Sequence, residues 1–150
     1  MSTTTTQSAA ETQVRELVDS YVDAIRASDV ERITSYYAPD ILAFDAIAQL
    51  QFKGVEAYKK HWQACIAMCA SEGMIFELHK PSFAVSGDVA FGHWLCRCGP
   101  ATEDSGEDKT GYMRGTLGFR KTGGRWLIVH EHWSAPFDMD SGKALFDLKP

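Results

Sequence analysis

The hydrophobic pattern of this chain changes its period once, near Met74, and that change most constrains the fold. Before Met74, apolar residues recur at the three- and four-residue spacing of helices with one buried face. After it, the pattern has the two-residue period of strands. Helices that come first and strands that follow predict an α+β domain, in which the helices pack on one face of a sheet.

Three helices are predicted in the first half of the chain. The first carries the apolar stripe Val14, Leu17, Val18, Tyr21, Val22 and Ile25. A capping box, Ser28-x-x-Glu31, predicts the start of a short second helix that ends before Pro39. The third begins after Gly54 and carries the stripe Val55, Tyr58, Trp62, Cys65, Ile66 and Cys69. Between the second and third helices, "ILAFDA" and "AQLQF" predict a short pair of strands.

Four long strands are predicted in the second half: "MIFELHKPSFAV", "DVAFGHWLCRC", "GYMRGTLGFRK" and "RWLIVHEHWS". Turn and loop compositions separate them, so successive strands are expected to be antiparallel neighbours. Three helices on such a strongly curved antiparallel sheet form a cone-shaped α+β barrel. A cone of this kind tends to leave an apolar pocket open at one end.

Length and charge limit the function classes. The 150 residues suit one domain, predicted over 11–137, with a flexible N-terminus at 1–10 and a tail at 138–150. A net charge of −5 argues against a nucleic-acid partner. No apolar window is long enough for a membrane helix, and the start lacks the pattern of a secretion signal.

The four cysteines predict no metal site. Cys65-x3-Cys69 and Cys96-x-Cys98 lack the CxxC spacing of zinc knuckles and redox motifs. Reduced thiols packed as small apolar side chains in a cytoplasmic protein are the simpler interpretation. No glycine-rich phosphate loop, nucleophile elbow or zinc helix motif occurs, so we expect neither a cofactor nor a metal.

Three segments resemble the nuclear transport factor 2-like superfamily, in its SnoaL-like and ketosteroid-isomerase-like branch. They are "YVDAIRASDVERITSYYAPDILAFDA", "FKGVEAYKKHW" and "GGRWLIVHEHWSAPF". The resemblance covers about residues 10 to 137 and implies the cone-shaped fold. It says less about function, because this fold hosts isomerases, cyclases, dehydratases and binding domains without chemistry.

The resemblance also implies candidate catalytic residues. Tyr21 matches the tyrosine that holds an oxyanion in the isomerases, and Asp45 matches their general base. In ketosteroid isomerases a protonated aspartate completes that oxyanion hole, and the resemblance places Gly115 at the matching position here. Steroid isomerisation is therefore not the expected reaction.

In "RWLIVHEHWS", strand alternation separates Glu131 from His130 and His132, so the three cannot form one metal site. Alternation alone leaves both faces of this strand open as the pocket face. The resemblance implies that Trp133 lines the pocket, which places Glu131 and Val129 there too.

The same argument on "DVAFGHWLCRC" predicts Phe91, His93, Leu95 and Arg97 inward, with Trp94, Cys96 and Cys98 outward. His93 and Glu131 could act in acid–base chemistry or form a buried ion pair. Arg97 could bind a carboxylate or lie at the surface. The predicted catalytic set is Asp45, Tyr21, His93 and Glu131, and the predicted pocket set is Phe91, Arg97, Leu117, Val129 and Trp133.

Two functions remain open at this stage. The first is a cofactor-independent isomerase, cyclase or dehydratase that enolises a small apolar carbonyl compound, with Asp45 as base. The second is a module that binds a small molecule or oligomerises without chemistry. We also expect a homodimer through the outer sheet face, with Trp94, Tyr112 and His132 on that face.

Overall fold

The computed structural model describes residues 2–69, 73–101 and 110–150, with side chains from residue 9 onward. The elements are α1 (Ser2–Arg26), α2 (Val30–Ser35), β1 (Tyr37–Phe44), β2 (Phe52–Lys53), α3 (Val55–Cys69), β3 (Met74–Ser86), β4 (Val89–Pro100), β5 (Gly111–Thr122) and β6 (Arg125–Ser134). No helix within these described ranges has the length and apolar character needed to span a membrane.

The strands form one six-stranded sheet in the order β2-β1-β6-β5-β4-β3. The predicted meander holds, because β3, β4, β5 and β6 pair in succession as antiparallel neighbours. The expectation of a wholly antiparallel sheet is corrected at one pair, since β1 runs parallel to β6. This pair needs a long crossover, which α3 and the first three strands of the meander provide.

The predicted apolar stripe of α1 faces the sheet. Val14, Val18, Tyr21 and Ile25 are all fully buried or nearly so. The predicted cap of α2 is wrong by one residue, because Asp29 accepts the Arg32 N–H at 3.1 Å. Asp29 has the extended backbone of an N-cap, whereas Ser28 has a φ of 54° in the left-handed region.

A bulge at Val129 sets the facing of β6. Phe119 pairs with Ile128 and Gly118 with His130, so one residue of β6 has no partner on β5. As a result, Ile128 and Glu131 both point towards the helices and are fully buried. The prediction that Val129 shares the face of Glu131 is therefore corrected: alternation is interrupted between them.

The predicted facing of β4 is wrong. Trp94 and Cys96 are buried under the helices, whereas Phe91 and His93 are exposed on the opposite face. The indole and the thiol take the covered face and the imidazole faces water; apolar burial outweighs the cost of burying Nε1 of Trp94 without a hydrogen-bond partner among the described residues. Trp94 is accordingly absent from the outer face that we expected it to share with Tyr112 and His132.

A cross-strand row explains why Trp94 fits inside. Trp94 pairs with Gly115, and Gly115 pairs with Trp133 on the next strand. A Cβ on Gly115 would lie 2.5 Å from Cζ3 of Trp133 and 2.6 Å from Nε1 of Trp94. The two indoles therefore occupy the space in which a side chain at Gly115 would lie.

We predict that Gly115→Ala destabilises the fold by about 1–3 kcal/mol, because the methyl group overpacks the space between the two indoles. Gly118→Ala is the matched control on the same strand, where the added Cβ would lie 3.5 Å from Cβ of His130. Urea unfolding followed by tryptophan fluorescence measures both variants. Equal midpoints for the two would show that the row tolerates a side chain at Gly115.

Candidate functional site

The Glu131 carboxylate is completely buried and accepts four side-chain hydrogen bonds. Its Oε1 accepts from the hydroxyls of Tyr21 at 2.5 Å and Tyr37 at 3.0 Å. Its Oε2 accepts from the Tyr58 hydroxyl at 2.6 Å and from Nε1 of Trp133 at 2.9 Å. We call these five residues the carboxylate cage. The four donors replace the water that the buried carboxylate has lost.

Burial dominates the electrostatics of the carboxylate cage. Burial raises the pKa of Glu131 above its ordinary value of 4.5, and hydrogen bonds from Tyr21, Tyr58 and the other donors only partly offset this. Burial, together with the nearby Glu131 charge, also raises the pKa of Tyr21 and Tyr58 well above 10.0. These phenols therefore keep their protons at neutral pH and remain donors.

The cage joins four elements of the fold. Tyr21 comes from α1, Tyr37 from β1, Tyr58 from α3, and both Glu131 and Trp133 from β6. The Tyr37 hydroxyl, at the edge of the cage, also accepts a hydrogen bond from Nε1 of Trp62 on α3, at 2.9 Å.

Asp45 follows directly after β1 and lies beside the cage. Its Oδ1 accepts the Ile47 N–H at 3.1 Å, which fixes the carboxylate against the turn. Its Oδ2 lies 3.1 Å from the Tyr58 hydroxyl and 3.4 Å from Nε2 of His61. The side chain is 14% exposed, so Asp45 is reachable, in contrast to Glu131.

His61, on α3, is held by ring stacking. Its imidazole stacks on Phe52 at 4.2 Å and on Tyr58 at 5.9 Å between centroids. The Cys65 Sγ, one turn further along α3, lies 3.6 Å from Nε2 and 4.0 Å from Nδ1 of the same ring. A carboxylate, an imidazole and a thiol therefore lie in sequence along one side of α3.

These groups border a cavity of about 210 Å³ under the helices. Its wall consists of Asp45, Ile47, His61, Trp62, Cys65, Cys69, Met74, Phe76, Cys98, Gly99, Met113 and Trp133. Apolar and sulfur-containing side chains form most of this wall. Its carboxylate and imidazole, Asp45 and His61, lie together, with Asp45 directly after β1 and His61 on α3. No lysine or arginine is among the wall residues that the structure describes.

Three of the four predicted catalytic residues lie close together, but only one of them borders the cavity. Asp45 lines the cavity, whereas Glu131 and Tyr21 do not. The Tyr21 hydroxyl contacts Glu131 and lies 3.0 Å from the Tyr37 hydroxyl. His93 is exposed on the outer face of β4, so its placement in the pocket is corrected.

The predicted pocket residues also divide. Trp133 lines the cavity, and Leu117 is fully buried in the core without reaching the cavity wall. Phe91 lies on the outer face and is 51% exposed. Arg97 contacts Glu77 at 3.3 Å on that same outer face, and so does not enter the pocket as an anion-binding group.

Sequence reasoning missed Tyr58 and His61 as site residues. Both belong to "YKKHWQAC", and a helix places Tyr58, His61 and Cys65 at the three- and four-residue spacings of one face. That spacing predicts a shared face, but the apolar stripe of the third helix accounts for Tyr58 and Cys65 equally well. Within the described ranges, no group of three or more histidine, cysteine or acidic side chains is arranged to hold a metal ion.

The fold and the family are also evident from comparison with known proteins. The chain has the nuclear transport factor 2-like fold, and residues 14–138 match the SnoaL-like domain. It belongs to the SnoaL-like domain family. No protein with a curated description is detectably similar to it in sequence.

Three solved structures illustrate the range of relatives. An NTF2-like protein of unknown function from Pseudomonas putida KT2440 is 50% identical, with 95% of this chain and 98% of that chain covered and a TM-score of 0.89. A protein from Streptomyces avermitilis, proposed to be a dehydratase of the NTF2-like family, is 19% identical, with coverages of 85% and 97% and a TM-score of 0.71. The association domain of C. elegans CaMKII is 19% identical, with coverages of 86% and 98% and a TM-score of 0.70.

We predict that Glu131→Gln destabilises the fold and removes the contribution of Glu131 to the pH dependence of folding stability. The amide NH2 would face two donors of the cage, and leaving buried groups unpaired costs about 1–3 kcal/mol. Because the folded protein binds the Glu131 proton more tightly than the unfolded chain does, this group lowers stability as the pH rises from 4.5 to its raised pKa. The difference in stability between wild type and variant should therefore narrow over that window and stay constant above it.

Chemical unfolding at a series of pH values measures this difference. Glu77→Gln is the matched control, because it removes the same charge from a partly exposed pair, worth about 0–1 kcal/mol. A difference that widens with pH would contradict the direction given for the pKa of Glu131.

Proposed function

We propose that this protein is a cofactor-independent isomerase, cyclase or dehydratase that removes a proton beside the carbonyl of a small, uncharged, mostly apolar compound. The observation that carries the proposal is the pairing of Asp45 with His61, 3.4 Å apart, in the wall of an otherwise apolar cavity. Acid–base pairs in such cavities are where general acid–base catalysis is found.

Asp45 is the proposed general base because its carboxyl group has a hydrogen-bonding partner in the site both when it is ionised and when it is protonated. The ionised carboxylate accepts from the Ile47 N–H and faces His61. Tyr58 has one hydroxyl proton, and the shorter contact, 2.6 Å, commits that proton to Glu131. The Tyr58 oxygen can then accept a hydrogen bond from the Asp45 carboxyl group once that group has taken a proton from a substrate.

His61 is the proposed partner at the substrate oxygen. It borders the cavity, and its ring is fixed by stacking on Phe52. Its Nε2–H faces Asp45 in the resting site and, as Asp45 becomes protonated, can instead stabilise the developing enolate oxygen or protonate a leaving hydroxyl. Isomerisation, cyclisation and dehydration share the first proton removal, so this pair serves each of them.

Tyr21 receives an indirect role in this proposal. Its hydroxyl proton is directed to Glu131, which leaves none for a ligand oxygen. By helping to hold Glu131, Tyr21 keeps the acceptor of the Tyr58 proton in place. Tyr21 and Glu131 are thus positioning residues, and Asp45 and His61 are the proposed catalytic residues.

The cavity also supports a substrate class. Lysine and arginine are absent from its described wall, which favours an uncharged compound over one with a carboxylate or phosphate group. An apolar cavity of about 150 Å³ is large enough for benzene. The cavity of about 210 Å³ therefore suits a six-membered ring with small substituents.

The decisive test uses cyclohex-3-en-1-one, whose conversion to the conjugated ketone needs proton removal beside the carbonyl. We predict that Asp45→Asn lowers the rate of this isomerisation by about 10²–10⁴-fold, the usual contribution of a positioned base. Asp40→Asn, on an exposed part of β1, is the matched control and should leave the rate unchanged. Ultraviolet absorbance of the product, with deuterium incorporation from D2O, provides the measurement.

Tyr58→Phe and Tyr21→Phe separate the two tyrosine roles in the same assay. Each removes one donor to Glu131, but only Tyr58 contacts Asp45. Tyr58→Phe should therefore lower turnover more than Tyr21→Phe. The reverse order would assign Tyr21 to the oxyanion, and equal rates for wild type and Asp45→Asn would remove Asp45 from the mechanism.

A second proposed function, assembly as a homodimer, concerns the outer sheet face. Phe91 is 51% exposed there, and Phe44 makes edge contacts with His130 at 4.9 Å and His132 at 5.5 Å between centroids. An exposed aromatic sheet surface is typical of an interface. The same fold also serves as an association domain in the C. elegans relative, which supports this assembly by analogy alone.

Sedimentation velocity at micromolar concentration tests the homodimer. We expect a dimer for wild type and a monomer for Phe91→Lys, because a buried unpaired ammonium group opposes association. Met68→Lys is the control, since Met68 is an exposed apolar residue on α3, away from the sheet. A monomeric wild type would exclude the dimer.

A further inference from the structure

We propose that Cys65 makes this cavity a site of covalent capture for small α,β-unsaturated carbonyl compounds, with His61 as the base. This inference goes beyond the proposed function, because capture needs the cavity, the thiol and the imidazole but no turnover. The juxtaposition that carries it is a thiol in the cavity wall within 4.0 Å of both ring nitrogens of a buried histidine.

The geometry suits proton transfer from the thiol. A neutral imidazole has one protonated nitrogen and one free lone pair. The Cys65 Sγ lies 3.6 Å from Nε2 and 4.0 Å from Nδ1, and Nδ1 becomes the acceptor for the thiol when the Nε2 proton is directed to Asp45. Stacking on Phe52 and Tyr58 holds the ring in this orientation.

The reaction is a conjugate addition in which atoms and electrons balance. The sulfur forms a bond to the β-carbon of the ligand while the C=C pair moves towards the carbonyl oxygen. The thiol proton passes to His61, and the resulting imidazolium is paired with Asp45. The imidazolium then returns the proton to the α-carbon, so the net change is addition of S–H across the double bond, with no oxidant or reductant.

The electrostatics explain why the base is needed. Burial, the Asp45 charge and Cys69 raise the pKa of the Cys65 thiol, so the resting thiol is protonated. The thiolate must therefore form during the addition, and His61 is the acceptor within reach. The described wall is mostly apolar and has no lysine or arginine, which favours uncharged electrophiles, the product class of the proposed dehydration or isomerisation.

Two neighbouring thiols provide internal references. Cys69 and Cys98 line the same cavity. The pKa of Cys98 is lowered, chiefly because the Cys96 thiol hydrogen-bonds to it, so Cys98 is the strongest competitor on acidity alone. A preference for Cys65 over Cys98 would therefore report the contribution of His61.

The experiment incubates the full chain with cyclohex-2-en-1-one and follows adducts at each cysteine by peptide mass spectrometry. We expect Cys65 to react first, and His61→Gln to slow that reaction by about 10²-fold, the lower end of general-base contributions. His132→Gln, on the outer face, is the matched control and should change nothing. Cys65→Ser should remove the fast adduct, leaving only slow reaction at the other thiols.

Rates at Cys69 and Cys98 in the His61→Gln protein test its folding, because unfolding would raise them together. If that occurs, His61→Asn replaces it in the same comparison. Faster labelling of Cys98 than of Cys65, or an unchanged Cys65 rate without the imidazole, would overturn the inference. Fast capture at Cys65 in a wild-type protein that does not isomerise cyclohex-3-en-1-one would separate this inference from the proposed function.

Discussion

The Glu131 carboxylate has no contact with solvent, and four side-chain donors take the place of its hydration. Removing one partner of such a buried charge typically costs about 3–5 kcal/mol, because the charge is left uncompensated. The donors come from α1, β1, α3 and β6, so the helices and the sheet must meet in one arrangement to satisfy it. The geometry of the site depends on that arrangement.

Tyr58 connects this buried charge to the cavity. Its hydroxyl lies 2.6 Å from Glu131 and 3.1 Å from Asp45, but it has only one proton to donate. The Tyr58 hydroxyl donates its hydrogen bond to the closer carboxylate, Glu131. Its oxygen can still accept a hydrogen bond from a protonated Asp45. The cage therefore sets the direction of the hydrogen bond between Tyr58 and Asp45. Each tyrosine hydroxyl of the cage already donates its proton to Glu131.

The sheet separates two surfaces of different character. On the covered face, the row of Trp94, Gly115 and Trp133 packs in the core, and the cavity beside it combines the Asp45–His61 pair with sulfur and apolar side chains. On the outer face, histidines and Phe91 meet solvent. The proposed small-molecule function and the proposed assembly are therefore compatible in one domain, because they would use opposite faces of the same sheet.

The sequence by itself determined the helices and the meander, and the family resemblance pointed to Asp45 and Trp133, which line the cavity. Helix and strand periodicities arise from local backbone geometry, which neighbouring residues already encode. The facing of β4 and β6 was not determined locally, because both faces of each strand are partly apolar and one bulge at Val129 interrupts the alternation. The tertiary structure alone joined Glu131 to Tyr21 and Tyr58, 110 and 73 positions away, since packing rather than spacing brings such distant donors to one carboxylate.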